Sequence, residues 1–126
     1  MVDPAKHVER WRSGAEEEIA AAQDLLDKGH TRQALFFADL AVEKMLKALV
    51  VKATGDLAPR THDLAGLAER AGLALTDVRR RTLARIREHR LDGRYPEEGP
   101  ARRSRGETEA LLDEARETLS WLRSQL

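Results

Sequence analysis

The segment from Thr31 to Thr54 constrains the fold most, because it is apolar in almost every direction around a helical axis. Only Asp39, Glu43 and Lys47, spaced four residues apart, form a narrow polar strip along it. A helix of this kind normally lies at the centre of a bundle or is partly buried by a second subunit. We therefore expect one long central helix here, ended by Gly55.

A preceding helix is predicted from its start, its periodicity and its end. Asp3 is expected to be the N-cap, with Pro4 at the first helical position, and Gly29 ends the helix. Its apolar residues recur at spacings of three and four, as expected for one buried face: Val8, Trp11, Ala15, Ile19, Ala22 and Leu26.

A short third helix is predicted with Thr61 as its N-cap and Gly72 at its end. Thr76 begins a fourth helix, on which three residues are expected to face inward: Val78, Leu83 and Ile86. From Leu91 to Gly106 the frequent glycine and proline residues predict a loop.

The last helix is expected to start near Glu107, because an acidic first turn suits the positive end of the helix dipole. Its apolar stripe is predicted to comprise Leu111, Ala115, Leu119, Leu122 and Leu126. No alternating pattern predicts a strand. We expect an all-α fold, an antiparallel up-and-down bundle of four main helices plus one short helix, in a single domain of residues 1–126.

The composition excludes several classes of protein. The chain of 126 residues has no cysteine, which rules out a disulfide framework, a cysteine-based zinc site and a thiol nucleophile. No apolar run approaches the roughly 18 residues that span a bilayer. The first residues lack the basic-then-apolar order of a signal peptide. We expect a cytoplasmic protein with no membrane partner.

The charge is balanced overall but not along the chain. The 22 basic and 22 acidic side chains cancel, yet residues 57–106 hold 12 basic groups against 7 acidic ones, a net charge of +5. All twelve are arginine, which suits two-point contacts with phosphate or carboxylate. The basic middle is read either as solvated helix faces with internal ion pairs or as an anion-binding surface.

The sequence lacks the common motifs of metal and phosphate chemistry. None of its four histidines, His7, His30, His62 and His89, belongs to a Glu-x-x-His or His-x-x-x-His motif. There is no glycine-rich phosphate loop and no nucleophile elbow. We expect neither a metal nor a cofactor.

A few polar residues admit both a structural and a binding role. Glu43 and Lys47 fit a simple ion pair one helical turn apart or part of a site. His62 fits an exposed first-turn side chain or a ligand contact. The segment Arg94-Tyr95-Pro96 fits a loop anchor or a binding motif.

Taken together, these residues resemble the HEPN family of small helical domains. The resemblance covers about residues 11–121 and depends on the order and spacing of several pieces. They are Trp11 and Ala21-Ala22-x-Asp24-Leu25-Leu26 in the first helix, Ala41-Val42-Glu43-Lys44-Met45-Leu46-Lys47-Ala48-Leu49 in the second, Thr61-His62-Asp63-Leu64, and Arg94-Tyr95-Pro96.

The resemblance implies a helical bundle that is usually homodimeric. Members are commonly encoded beside a minimal nucleotidyltransferase, in two-component systems of the toxin–antitoxin kind, and are thought to bind nucleotide or to act as its partner. Many other members are metal-independent endoribonucleases with an Arg-x(4–6)-His motif. That motif is absent from this chain: Arg85 and His89 are separated by only three residues.

Our preferred interpretation is a non-catalytic or weakly acting module that binds a nucleotide or a nucleic-acid phosphate beside a nucleotidyltransferase subunit. Arg94 and Lys47 would hold phosphate, His62 would donate a hydrogen bond, and Glu43 would orient Lys47 or accept from a base or ribose. Arg87 and His89 would lie near the cleft. The alternatives are an endoribonuclease toxin that uses Arg85 and His89, and a dimeric scaffold without a ligand.

Overall fold

Five helices make up the computed structural model, which describes the backbone of residues 2–94 and 104–126, and their side chains except those of residues 89–94. The helices are α1 (Pro4–Asp27), α2 (Thr31–Thr54), α3 (Leu64–Arg70), α4 (Asp77–Arg94) and α5 (Arg105–Ser124). No strand occurs in these ranges. The prediction of an all-α bundle with four long helices and one short helix is confirmed.

α1 and α2 form an antiparallel pair because only three residues connect them. The side chain of Asp3 caps α1 by accepting a hydrogen bond from the amide of Lys6 at 3.3 Å, and Pro4 is the first helical residue. Gly29 takes a left-handed φ of 83° in the connection, a conformation that glycine adopts without steric cost. The predicted start and end of this helix are confirmed.

α2 is the central helix and packs against each of the other four. One cluster of buried apolar residues combines side chains from all five helices, among them Ala15, Met45, Leu64, Leu83 and Leu112. Gly55, with a left-handed φ of 74°, ends α2 as predicted. No described helix is long and apolar enough to cross a membrane.

Two details predicted for the middle of the chain are wrong. α3 begins at Leu64, and Thr61 instead closes a turn by accepting from the amide of Asp63 at 3.2 Å, which leaves Asp63 as the N-cap. Val78 is 62% exposed, whereas Leu83 and Ile86 are buried as expected. Leu83 is five positions after Val78, so at 3.6 residues per turn the two side chains point to different sides of α4.

The predicted loop from Leu91 to Gly106 is too long at both ends. α4 continues to Arg94 through Gly93, because one glycine costs a helix only about 1 kcal/mol. α5 begins at Arg105, since the side chain of Ser104 caps it by accepting from the amide of Glu107 at 3.1 Å. Residues 95–103, with Tyr95 and Pro96, lie outside the described residues.

The buried stripe of α5 differs by one position from the predicted stripe. Leu112, Ala115, Leu119 and Leu122 are almost completely buried, whereas Leu111 is only partly buried. Leu111 and Leu112 lie four and three positions before Ala115, so both spacings fit one helical face. The orientation of α5 against α2 decides which of the two leucines is buried.

This correction predicts different costs for two neighbouring leucines. Leu112→Ala is expected to lower the free energy of unfolding by about 3 kcal/mol, because it leaves a cavity in the core. Leu111→Ala is the matched control and is expected to cost about 1 kcal/mol, since less apolar surface leaves the interior. Urea denaturation followed by circular dichroism measures both. Equal costs would contradict the assigned rotation of α5.

Candidate functional site

The polar strip of α2 lies inside the protein. Asp39, Glu43 and Lys47 share one face because they are four residues apart, and they are only 0%, 3% and 7% exposed. Charged side chains are costly to bury unless they are paired and hydrogen-bonded. The stability of the fold therefore depends on the groups that pair with this strip.

The carboxylate of Glu43 binds two groups from different segments. One oxygen, Oε2, lies 3.2 Å from Nζ of Lys47, one turn along the same helix. The other, Oε1, lies 2.8 Å from Nδ1 of His62, which precedes α3. Each oxygen of the buried carboxylate thus has a nitrogen partner, and the pair is bridged to a residue outside α2.

His62 connects this buried pair to the surface. Its Nδ1 is placed to donate to Glu43, while its side chain remains 51% exposed. In the neutral ring Nε2 is then an acceptor, and in the protonated ring both nitrogens donate. Arg87, on α4, donates through its guanidinium to the backbone carbonyl of His62. His62 is consequently held by α2 through its side chain and by α4 through its backbone.

Lys47 also contacts α1. Its Nζ lies 5.2 Å from the centre of the Trp11 ring, within the range of a cation–π interaction. We refer to Glu43, Lys47, His62, Arg87 and Trp11 as the Glu43 network. Its members come from α1, α2, α4 and the segment before α3, so the folded bundle is required to assemble it.

Lys44 fills the space between α1 and α2 beside this network. Its Nζ donates to Oε1 of Glu18 at 3.1 Å, across the surface of Gly14. A Cβ atom at Gly14 would lie 3.2 Å from Cδ of Lys44, which is tighter than an ordinary contact. Glycine at this position therefore lets the lysine reach its acidic partner.

A groove of about 440 Å³ opens beside Lys47, at the end of the bundle where α1 begins and α2 ends. Nine of the described residues line it: His7, Arg10, Trp11, Lys44, Lys47, Leu57, Ala58, Pro59 and Arg60. The sequence interpretation placed Trp11 in an apolar stripe and in the family resemblance, but it gave no ligand-binding role to Trp11, Arg10 or Arg60. No short motif marks these residues, because they come from segments far apart in the chain.

The sequence matches the HEPN domain family over residues 8–125. The chain belongs to this family. Among solved structures it is similar to TT1696 from Thermus thermophilus, with a TM-score of 0.80, 24% sequence identity, and coverage of 94% of this chain and 98% of that chain. This likeness shows the fold. No curated protein matches the sequence.

The HEPN domain brings together four of the residues predicted to bind a ligand, namely Glu43, Lys47, His62 and Arg87. The side chains of Arg94 and His89 lie outside the described residues. Arg85 lies on a different side of α4, where Nε and Nη2 are each 3.2 Å from a carboxylate oxygen of Glu114 on α5.

Two further observations concern charge and metals. On the exposed side of α1, a hydrogen bond from Arg12 lowers the pKa of Glu9 and raises that of Arg12, so this arginine already has an anionic partner. Within residues 2–94 and 104–126, no group of three or more His, Cys, Asp or Glu side chains is arranged to hold a metal ion.

The burial of the Glu43–Lys47 pair predicts a large cost for breaking it. Lys47→Met is expected to lower the free energy of unfolding by about 3 kcal/mol, because it removes the cation beside a buried carboxylate. Lys44→Met removes a more exposed ion pair on the same helix, and we expect it to cost about 1 kcal/mol. Urea denaturation at neutral pH measures both variants.

A double variant checks the reason for that cost. Glu43→Gln combined with Lys47→Met removes both charges, so it should be more stable than Lys47→Met alone. If the double variant is the less stable of the two, an uncompensated carboxylate does not explain the cost.

Proposed function

We propose that this HEPN domain binds a nucleotide, or a phosphate group of a nucleic acid, and acts as the non-catalytic partner of a nucleotidyltransferase in a two-component system of the toxin–antitoxin kind. The observation that carries the proposal is the buried Glu43 carboxylate, which holds Lys47 and the half-exposed His62 at fixed distances. Membership of the HEPN domain family also supports this proposal.

The network has the properties of a binding site more than those of a structural ion pair. A buried ion pair is weak evidence for stability, because removing two charges from water offsets much of their attraction. An apolar pair on the same face of α2 would fill this core without that cost. Residues that do not optimise the core are expected at functional sites. Here the buried ion pair is hydrogen-bonded to an accessible imidazole, that of His62.

Each residue of the predicted site has a distinct role in this proposal. Lys47 and Arg94 hold phosphate, and His62 donates a hydrogen bond through Nε2 when its ring is protonated. Glu43 orients Lys47 and accepts from Nδ1 of His62. Arg87 is a positioning residue, because its guanidinium donates to the backbone carbonyl of His62 and leaves the imidazole accessible.

The proposal includes the setting in which the domain acts. We propose that residues 1–126 form one domain, that the domain is a homodimer, and that it acts in the cytoplasm.

The combination of guanidinium and lysine at one site suits the doubly charged phosphate of a nucleotide, which Arg binds at two points and Lys binds as a point charge.

Arg94→Ala tests the phosphate contact. We expect at least a tenfold loss of affinity for ATP in isothermal titration calorimetry, and weaker capture in a pull-down of any nucleotidyltransferase encoded beside this domain. Arg81→Ala is the matched control: it removes an exposed arginine of the same helix and should change neither result. Absence of ATP binding by the unaltered protein, together with unchanged partner capture by Arg94→Ala, would overturn the proposal.

The endoribonuclease alternative depends on Arg85 and His89. In the structure Nε and Nη2 of Arg85 both donate to the carboxylate of Glu114, and Nη2 also lies 3.3 Å from Oγ1 of Thr82. A guanidinium engaged in this way has fewer donors left to stabilise the charge of a cleaving phosphodiester. This arrangement favours the binding function over the catalytic one.

Labelled RNA distinguishes these two functions. We expect the purified domain and its His89→Ala variant to leave the RNA equally intact in the absence of metal, because the family's catalytic spacing is missing. Cleavage by the unaltered protein that is lost in His89→Ala would establish the ribonuclease instead.

A further inference from the structure

The imidazole of His62 has one bonded nitrogen and one accessible nitrogen. Its Nδ1 lies 2.8 Å from Oε1 of the buried Glu43, while the side chain of His62 is half-exposed. Donation from Nδ1 to the carboxylate holds the neutral ring in the tautomer whose lone pair is on Nε2. The folded protein therefore selects Nε2 as the nitrogen that can act as a nucleophile.

The other histidines that the structure describes lack this arrangement. His7 lies in the first turns of α1 and His30 precedes α2. Neither ring has a hydrogen bond or an ion pair within the described part of the chain. Among the histidine side chains that the structure describes, that of His62 is thus the one oriented by a carboxylate.

Glu43 also compensates the charge that a reaction at Nε2 creates. When Nε2 forms a bond to an electrophile, the ring becomes cationic, and its positive charge extends to the Nδ1–H group. A carboxylate at hydrogen-bond distance stabilises such an imidazolium, as the aspartate does in a Ser-His-Asp triad. Because Glu43 is buried, water weakens this attraction less than it would at the surface.

The surroundings of His62 favour an electrophile with negative charge. Arg60, two residues earlier, is exposed and makes no ion pair within the described residues. The guanidinium of Arg87 reaches the backbone carbonyl of His62. The adjacent carboxylate of Asp63 faces the first turn of α3, where a Cβ atom on Gly66 would lie 2.6 Å from its Oδ2. Two arginines near the imidazole suit a phosphoryl group better than an uncharged acyl group.

We propose that Nε2 of His62 accepts a phosphoryl group from a small activated donor such as phosphoramidate. The lone pair on Nε2 attacks phosphorus, the phosphorus–nitrogen bond of the donor breaks, and its electron pair leaves with ammonia. The zwitterionic donor and the neutral ring carry the same total charge as the phosphoimidazolium and ammonia, so the step balances. Nδ1–H stays bonded to Glu43 throughout, and no proton has to leave the ring.

Phosphorylation gives His62 a regulatory role, and this consequence rests on the function proposed above. The phosphoryl group occupies Nε2, so the ring loses the donor that it would offer to a phosphate ligand. It also adds about two negative charges beside Lys47, which repel such a ligand. His62 is then a covalent switch that closes the binding site.

Incubation of the folded domain with phosphoramidate tests the acceptor. We expect His62 to be labelled at least tenfold faster than His7 or His30 in peptide mapping by mass spectrometry, with the phosphoryl group on Nε2 in phosphorus NMR. His62→Gln should remove this label, and the matched control His30→Gln should retain it. Labelling on Nδ1, or equal rates at the three histidines of the folded protein, overturns the proposal.

A pair of variants isolates the contribution of Glu43 as a positioning residue. Glu43→Gln combined with Lys47→Met removes the carboxylate without leaving the buried ammonium group unpaired, whereas Lys47→Met alone keeps the carboxylate. We expect the double variant to label His62 at least tenfold more slowly than Lys47→Met. It should also yield both ring isomers, because glutamine can accept from Nδ1 or donate to it. Equal rates and equal isomer ratios in the two variants overturn the role of Glu43.

Calorimetry with ATP separates the switch from the proposed function. We expect the labelled domain to bind ATP at least tenfold more weakly than the unlabelled domain. Unchanged affinity after complete labelling overturns the switch alone. If the unlabelled domain does not bind ATP, the switch is overturned together with the proposed function, while selective labelling of Nε2 still supports the phosphoryl acceptor.

Discussion

The candidate site of this HEPN domain depends on one buried carboxylate, which bridges two other side chains. Glu43 is located on the central helix and binds Lys47 from its own helix and His62 from the segment that follows. Without Glu43, the core would contain an uncompensated ammonium group, and the imidazole would lose its contact with α2. The carboxylate therefore stabilises the charge inside the bundle and also fixes the position of an accessible side chain.

Because α2 is central, the charged side chains of its polar strip need ion-pair and hydrogen-bond partners inside the protein. α2 packs against each of the other four helices, so little of its circumference is available for solvent. The strip is accordingly met by groups from its neighbours, with Trp11 of α1 beside Lys47 and His62 beside Glu43. Arg87 of α4 adds a contact to the backbone of His62. The packing thus converts a sequence pattern of three charged residues into a site with contributions from several elements.

Sequence alone predicted the elements whose signals are local. The bounds of α2 follow from its apolar run and Gly55, and the start of α1 follows from Asp3 and Pro4. Errors arose where two local signals compete. Glycines suggested a loop up to Gly106, but the side-chain cap of Ser104 begins α5 before it. Threonine is a common N-cap residue, yet the hydroxyl of Thr61 closes a turn that precedes the helix.

The candidate site was only partly predictable, because its contacts depend on helix packing. The spacing of Glu43 and Lys47 predicts their ion pair, but no spacing reveals that Arg87 reaches the carbonyl of His62 or that Trp11 lies beside Lys47. Arg85 and Arg87 are close in sequence and engage opposite neighbours, α5 and the segment before α3. Such a division follows from the rotation of α4 in the bundle, which residue identities alone do not determine.

Gly14 influences the local electrostatic potential although it has no side chain, because it leaves space for the side chain of Lys44. The atom nearest to a new Cβ belongs to the flexible chain of Lys44, so a larger residue would displace that lysine more readily than it would separate the helices. Displacement would break the contact with Glu18 and release one positive charge toward the groove. Position 14 thereby acts as a determinant of local potential, and substitutions there would alter anion attraction while leaving every charged residue in the sequence intact.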